Sequence, residues 1–383
     1  MRSDRNMRIW NINDAPIQDT TMGQLLNCAE QMDLALLMAD NQEGYGVPVG
    51  GVMASRNLIY LAGVGYDIGC GNTAMKLSID SSAVIAFIKE YMDDIAAEIP
   101  IGIGVGNKEK VVTEFFDLFG KRIKEIEITK PLIQLAESQL GSVGGGNHFV
   151  DIFISDTNEV WIGVHFGSRG FGWKIADWFL KKVGSSNNRY EKPVALDVNS
   201  ELGQLYIECM EIAGAYAMAG RRAVCQKLVD DIFGCNVLDI VENHHNFAWK
   251  EEHGNEIFWI ARKGSTPNRP GQRSFIGGSM GNISVIIKGI DSEESRQTLY
   301  STVHGAGRVI SRSRAKKTID VKAHEKAIAK IELRGSELDE SPLAYRPLQD
   351  VLNVHRDTFE IQEVLHPIGV RMAGKNEKDP FKD

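Results

Sequence analysis

The chain has 383 residues, 43% of them hydrophobic and 25% charged, enough for one large domain or two smaller ones around a sizeable core. The polar stretch Met1 to Asn13 lacks an apolar leader core and no run is apolar enough to span a bilayer, so a cytoplasmic protein with no membrane partner is expected. Five widely spaced cysteines (Cys28, Cys70, Cys209, Cys225, Cys235) without a CxxC pair argue against a disulfide framework or a zinc finger, and a net charge of −8 argues against a basic nucleic-acid coat protein.

In chain order, apolar spacing predicts a helix over 22–39, then short strands and glycine turns over 47–64. Amphipathic helices are expected over 82–98 and 107–127, separated by the glycine-rich IGIGVG. A strand pair follows at about 147–155 and 159–166. Residues 201–233 read as a long helical stretch with possible breaks at Gly214 and Gly220. Strands are expected at 236–242, 256–262 and 283–288, a helix at 345–352, a strand at 359–371, and a loose charged tail from Gly374 on.

Many of the 38 glycines stand beside His, Cys, Asn or Ser, where a bare backbone permits close approach to a ligand. In Gly-Tyr-Asp-Ile-Gly-Cys-Gly, residues 65–71, Asp67 and Cys70 can converge on one metal centre or bridge two; a capping Asp and a small buried Cys are the commoner fate of each alone. In Gly-Gly-Gly-Asn-His-Phe-Val-Asp, residues 144–151, strand alternation puts His148 on one face and Asn147 and Asp151 on the other, so His148 can face a metal and the others a nucleotide. In Val-His-Phe-Gly-Ser-Arg-Gly, residues 164–170, His165 ends an apolar strand and the turn offers amides and Arg169 to an anion. His244 and His245 point to opposite sides of an extended segment, so only one joins a given centre. Arg262-Lys263-Gly264 reads as a basic phosphate loop, and Gly277-Gly278-Ser279-Met280-Gly281 as a small-residue nucleotide cradle; neither has the Walker pattern. His304-Gly305-Ala306-Gly307-Arg308, with Ser311, Arg312 and Arg314 behind it, suits phosphoryl chemistry, because neutral imidazole is a nucleophile and nearby cations stabilise developing phosphate charge. Ligands gathered from across a chain are the pattern of a catalytic metal site; residue types alone leave zinc and other metals open.

Taken in order, DIGCG, GGGNHF, HxGSRG, HN, RKG, GSMG and HGAGR resemble the RtcB family of RNA-splicing ligases from about residue 45 to about 374. The resemblance implies an α+β fold: a single large domain over 1–374, with mixed β-sheets around a central metal and nucleotide cleft, peripheral helices outside, and a charged tail at 375–383. It implies two Mn²⁺ ions on Asp67, Cys70, His148, His165 and His245, with Cys70 bridging; His245 is chosen over His244 because it precedes Asn246. It implies that His304 becomes guanylated from GTP, that Asn147, Asp151, Ser279, Ser284, Gly305, Ala306, Gly307 and Tyr345 surround the guanylate, and that Arg169, Arg308 and Arg312 contact phosphate or RNA.

The implied reaction joins RNA 2′,3′-cyclic phosphate or 3′-phosphate ends to 5′-hydroxyl ends, in RNA repair or tRNA splicing; an activating protein is left open. The sequence departs from the family pattern in three places: Asp151 stands where Glu is usual, Phe166 where a small residue is common, and the terminal Val-Lys-Gly is replaced by Val370-Arg371-Met372-Ala373-Gly374, so that the guanine-side lysine contact is lost, shifted to Lys375 or supplied by Arg371. These departures fit a divergent group. Two alternatives are a metal-dependent phosphoesterase that opens cyclic phosphates without ligating, which has no use for His304, and an RNA-end binding protein with structural metals.

Overall fold

Leu34 to Ala39 is the first place where local pattern and structure part: in the computed structural model these residues are strand. The structure describes residues 2–4, 6–12, 16–185, 188 and 191–374, so the tail expected at 375–383, with Lys375, lies outside the described residues. The strands in chain order are β1 Arg2–Asp4, β2 Met7–Ile9, β3 Leu34–Gln42, β4 Val49–Ser55, β5 Leu58–Tyr60 and β6 Gly71–Leu77. They continue with β7 Phe149–Ser155, β8 Val160–Phe166, β9 Ala195–Asp197, β10 Val237–His244, β11 Asn246–His253 and β12 Glu256–Lys263. The last are β13 Ser265–Pro267, β14 Arg273–Ile276, β15 Ser284–Gly289, β16 Ser301–Val303, β17 Glu332–Arg334 and β18 Phe359–Met372. The helices used below are α1 Asp19–Ala29, α2 Glu114–Glu125, α3 Arg169–Lys182, α4 Glu201–Lys227, α5 Arg312–Thr318 and α6 Val321–Ala327.

The expected helix over 22–39 is therefore corrected to α1 followed by β3. A continuous apolar run reads the same as buried helix or buried strand, and here Met38, Ala39 and Asp40 are fully buried between layers. The expected helix over 107–127 shortens to α2, because Thr113 caps the chain by accepting from Phe115 N and residues 107–113 stay irregular. The expected breaks at Gly214 and Gly220 do not occur: α4 runs through both and passes into a π turn over Leu228–Phe233. These glycines serve packing, since a β-carbon at Gly214 would lie 2.6 Å from the Phe247 ring. The hairpin partner β11 and the short β14 were not expected from the sequence.

Among the described residues, two large sheets form one α+β domain. One has the order β1-β2-β3-β4-β12-β11; the other runs β10-β6-β8-β7-β18-β15-β14, with β17 on β18. Long pairings such as Val370 with Asp151 on β18 and β7 tie the C-terminal half to the N-terminal half. The helix α4 packs its Ala213, Tyr216 and Ala217 side into the apolar core, behind β6 and β8. No helix among the described residues is long and apolar enough to cross a membrane.

The register of the second sheet decides where the chemistry sits. Gly71 pairs with Phe166 and with His244, and Phe149 pairs with His165. Strands β6 and β7 begin at the edge where β8 and β10 end. Cys70, His148, His165 and His245 are thus brought to one rim by antiparallel pairing alone.

Candidate metal and nucleotide site

At that rim, five donor side chains form two overlapping groups: Cys70, His165 and His245 in one, and Asp67, Cys70 and His148 in the other. Within each group the ligand atoms lie within 4.8 Å of one another. The Cys70 Sγ is 3.7 Å from His165 Nε2 and 3.8 Å from His148 Nε2, and Asp67 Oδ2 is 3.0 Å from His148 Nε2. The Nδ1 of His165 hydrogen-bonds Asn72 Oδ1 at 2.8 Å, which fixes the ring and leaves Nε2 toward the thiol. A partner on the far nitrogen is how a ligand imidazole is oriented. Gly167 makes room for the Asp67 carboxylate, which a β-carbon there would meet at 2.2 Å.

His244 is turned elsewhere. Its Nδ1 is 2.8 Å from the Gly69 carbonyl, and burial, with Arg221 nearby, pushes the imidazole down to about 3, so it stays neutral. Arg221, which no motif marks, is fully buried beneath the loop and donates to the carbonyls of Gly69 and Phe166 at 2.9 and 2.8 Å. Burial first, and the neighbouring histidines and Arg221 second, hold His165 and His245 far below the usual imidazole range. Burial works to raise the Asp67 carboxyl, but the His148 hydrogen bond and charge outweigh it and the net direction is down. Burial, then Asp67, push the Cys70 thiol well up.

A thiol, a carboxylate and three imidazoles facing one another inside the protein are a set of metal-ligand donors. Among the described residues the buried Nδ1 atoms of His148 and His245 have no hydrogen-bond partner. The set fits one cation or two with Cys70 shared, and its mixture of sulfur, nitrogen and oxygen leaves the metal's identity open.

His304 stands directly after β16, with its ring centroid 5.1 Å from that of His245. Its Nδ1 lies 2.6 Å from Asp40 Oδ2, and its backbone N donates to the same oxygen at 2.9 Å. Asp40 is fully buried in β3. In the tautomer that donates Nδ1–H to this carboxylate, the lone pair is on Nε2. The only sequence signal for Asp40 is an acidic residue ending an apolar run, which is expensive unless it has a partner.

His304 lines a cavity of about 120 Å³ together with Asn147, Asp151, Ser279, Gly305, Ala306, Gly307, Arg308, Arg312 and Tyr345. Ser284 sits behind the wall, where its Oγ accepts from Gly278 N at 3.0 Å. Asp151 is buried, its Oδ1 has no partner among the described residues, and burial pushes its carboxyl well above the usual range. Arg308 donates to Tyr345 Oη at 2.8 Å and to Glu340 at 3.3 Å, and Arg312 pairs with the same Glu340. Glu340 is a further member that no motif marks.

A second cavity, of about 800 Å³, is lined by Asp67, His148, Asn147, Lys263 and Arg312 and by Tyr45, Tyr66 and Trp173. Tyr66 stacks on Trp173 at 5.7 Å. Asn147 and Arg312 belong to both cavities, so the donor cluster lies where the two meet.

Four basic residues that the sequence suggests for phosphate, RNA or guanine donate to groups of the chain itself. Arg169 lines the larger cavity, but its guanidinium is buried and donates to the carbonyls of Gly102 and Val105 at 2.6 and 3.2 Å. Arg262 does not form a phosphate loop; it is fully buried against Glu251 at 2.6 Å, because β12 alternation turns it into the interior. Lys263 holds the Tyr45 and Val47 carbonyls at 3.1 and 2.9 Å. Arg371 is directed to the Arg334 carbonyl on β17, while its neighbours Val370 and Met372 face the smaller cavity.

A family model described as tRNA-splicing ligase RtcB matches residues 24–373. The chain is similar to the RNA-splicing ligase RtcB of Escherichia coli K12, with 28% identity over 94% of this chain and 96% of that protein. It is likewise similar to the tRNA-splicing ligase RtcB of Thermococcus kodakarensis, with 28% identity over 92% of this chain and 91% of that one. The tRNA-splicing ligase RtcB of Methanococcus maripaludis is 27% identical over 88% of this chain and 87% of its own length.

Proposed function

The chain belongs to the RtcB family of RNA-splicing ligases, and from that premise we propose that it is a GTP-dependent RNA ligase, sealing 2′,3′-cyclic phosphate or 3′-phosphate ends to 5′-hydroxyl ends through a guanylated His304. The observation that carries this reading is the Asp40–His304 pair at 2.6 Å, which frees Nε2 for attack beside the donor cluster.

In the first step His304 Nε2 forms a bond to the α-phosphorus of GTP while the bond to the β-phosphate oxygen breaks and pyrophosphate leaves. The ring becomes cationic, and Asp40, hydrogen-bonded at Nδ1, balances that charge. Water then opens a cyclic phosphate by adding to phosphorus as the 2′-oxygen departs with a proton. An oxygen of the resulting 3′-phosphate attacks the guanylate phosphorus, and His304 leaves with its electron pair restored. Finally the 5′-hydroxyl attacks the RNA 3′-phosphorus, loses its proton and expels GMP. Arg308 and Arg312, already beside the nucleotide wall, offer donors to phosphate if Glu340 yields them. Two Mn²⁺ ions would be held by Asp67, Cys70, His148, His165 and His245, with Cys70 common to both, and would supply charge neutralisation and orientation of phosphate oxygens.

The two cavities divide the work in this reading. The smaller, at His304, takes the guanylate; the larger, with Asp67 and His148 on its wall and the Tyr66–Trp173 stack beside them, takes the RNA end. Five free cysteines, four of them buried, accord with work in the reducing cytoplasm, in tRNA processing or RNA repair. The test is incubation with labelled GTP and Mn²⁺, followed by a search for an acid-labile protein–GMP bond. Labelling that disappears in His304→Ala is expected; cyclic-phosphate opening with no labelled protein would replace the ligase by a phosphoesterase.

A further inference from the structure

Between residues 308 and 330 the chain carries eight Lys and Arg against two acidic residues, although the whole chain has a net charge of −8. Three of the eight are spoken for: Arg308 and Arg312 by Glu340, and Lys316 by Glu337 and Asp339. The side chains of Arg314, Lys317, Lys322, Lys326 and Lys330 are exposed and have no acidic partner among the described residues. Lys322 and Lys326 are one helical turn apart on α6, and Arg314 and Lys317 on α5. Like charges at this spacing repel one another, so the cluster costs stability unless something anionic lies on it.

These helices are fastened to the nucleotide wall on their inner side. The α5 helix begins at Arg312, which lines both cavities and is held by Glu340. The end of α6 lies against the Ser279–Gly281 turn, where a β-carbon at Gly281 would meet the Ala327 carbonyl at 2.9 Å, and His324 Nδ1 is 2.9 Å from Ser341 Oγ. Exposed cations without an acidic partner among the described residues thus follow in sequence from Arg312, which lines both cavities.

We propose that the outer face of α5 and α6 and the turn after α6, carrying Arg314, Lys317, Lys322, Lys326 and Lys330, is a track for the phosphate backbone of the single-stranded RNA whose end enters the site. The inference rests on the ligase reading for the nature of its ligand. A polynucleotide is favoured over an isolated anion because the cations are spread along two helices and no single pocket gathers them. Phosphate contacts of this kind position the strand without reading sequence.

The test uses the full chain and a labelled 20-nucleotide single-stranded RNA ending in a 3′-phosphate, titrated at several salt concentrations. Lys317→Gln/Lys322→Gln/Lys326→Gln/Lys330→Gln is expected to weaken binding about tenfold or more at low salt, and to lower the slope of log affinity against log salt by about 2 to 3. The four Lys→Arg changes keep the charge and are expected to keep both affinity and slope. Neutralising Lys121 and Lys124 on α2 leaves both unchanged. Guanylation from labelled GTP is read in every variant; if it persists while RNA affinity falls, the fold and the nucleotide site are intact. Unchanged affinity and slope in the fourfold Gln variant, or no RNA binding by the parent chain, would overturn the track. Absence of guanylation in the parent chain would overturn the ligase reading separately, and the binding slopes would still decide the track.

Discussion

Asp40→Asn isolates the electrostatic part of the His304 arrangement, because the side chain keeps its shape and loses its charge. The native carboxylate is fully buried and accepts from the ring at 2.6 Å and from the His304 backbone N at 2.9 Å. A hydrogen bond to a charged group contributes about 1.5–3 kcal/mol. As about 1.4 kcal/mol is tenfold in rate, losing the charge that balances the cationic ring slows guanylation by about 10- to 100-fold. That is a floor. If the amide presents its NH₂ group to the ring, Nδ1 must accept, the proton moves to Nε2, and the attacking lone pair is gone. The assay is single-turnover transfer of label from α-labelled GTP to protein, with nitrogen-15 shifts of the His304 ring reporting the tautomer. Metal content and thermal midpoint are measured alongside to show that the cluster and fold persist. Transfer within threefold of the parent rate, with the tautomer unchanged, would refute the role given to Asp40.

Cys70→Ser is expected to cost at least half of the bound Mn²⁺ on equilibrium dialysis, since Cys70 is the one donor common to both groups; two retained ions would remove it from the bridge position. Trp173→Ala is expected to weaken binding of a single-stranded RNA end by about 1–3 kcal/mol while leaving guanylation at the parent rate, because the ring stands in the larger cavity and not at His304. Equal loss of guanylation would mean that the cavities are not separate. The buried Glu251 provides a pH prediction. Burial acts to raise its carboxyl, but Arg262, the His253 hydrogen bond and Arg269 outweigh it and lower it to about 2. A lowered folded-state value contributes stability above the unfolded carboxylate's value, near 4.5, and that contribution is lost as pH falls toward 2. The unfolding free energy from urea titration should therefore fall between pH 5 and pH 2, by an amount of the order of 3 kcal/mol. Glu251→Gln should be less stable at pH 7 and much flatter across that range; a parallel curve would exclude Glu251 as the source.

What the sequence could reveal followed the distance over which each signal acts. The β7–β8 pair was legible from alternation and a short turn, the candidate donors Asp67, Cys70, His148 and His165 from glycine-flanked motifs, and the choice of His245 over His244 only from the family resemblance. Asp40, Asn72, Arg221 and Glu340 were not legible, because each acts on a residue far along the chain and none sits in a motif. Arg221 touches Gly69 and Phe166 from the middle of a helix, and its neighbours in sequence give no hint of it. Arg262 misled for a related reason: its buried partner Glu251 lies across the β11–β12 hairpin, and β11 itself was not foreseen. The strand Leu34–Gln42 misled because a fully buried strand has no alternation to display.

The donor cluster and His304 arise on different parts of the fold, and an error of about 1 Å between nucleophile and phosphate is enough to slow chemistry greatly. Their spacing is set by a short run of backbone hydrogen bonds. His245 N donates to the Cys70 carbonyl at 2.8 Å, and Ser265 N donates to the His245 carbonyl at 3.2 Å. Ser265 is then paired with Val303 across β13 and β16, and His304 follows at once. Asn246 closes the same turn by accepting from Gly264 N at 2.7 Å, which gives the residue after His245 a structural task of its own. Gly264 has φ of +59° and lies against the His304 ring, so a side chain there would meet both a backbone penalty and the imidazole, at 3.1 Å. The metal-side and nucleotide-side motifs are therefore links of one hydrogen-bonded path, and the path runs through main-chain atoms that substitution of the ligands leaves in place. Loss of a donor should accordingly remove a metal without moving His304, whereas a change at Gly264 or Asn246 should displace His304 while all five donors remain.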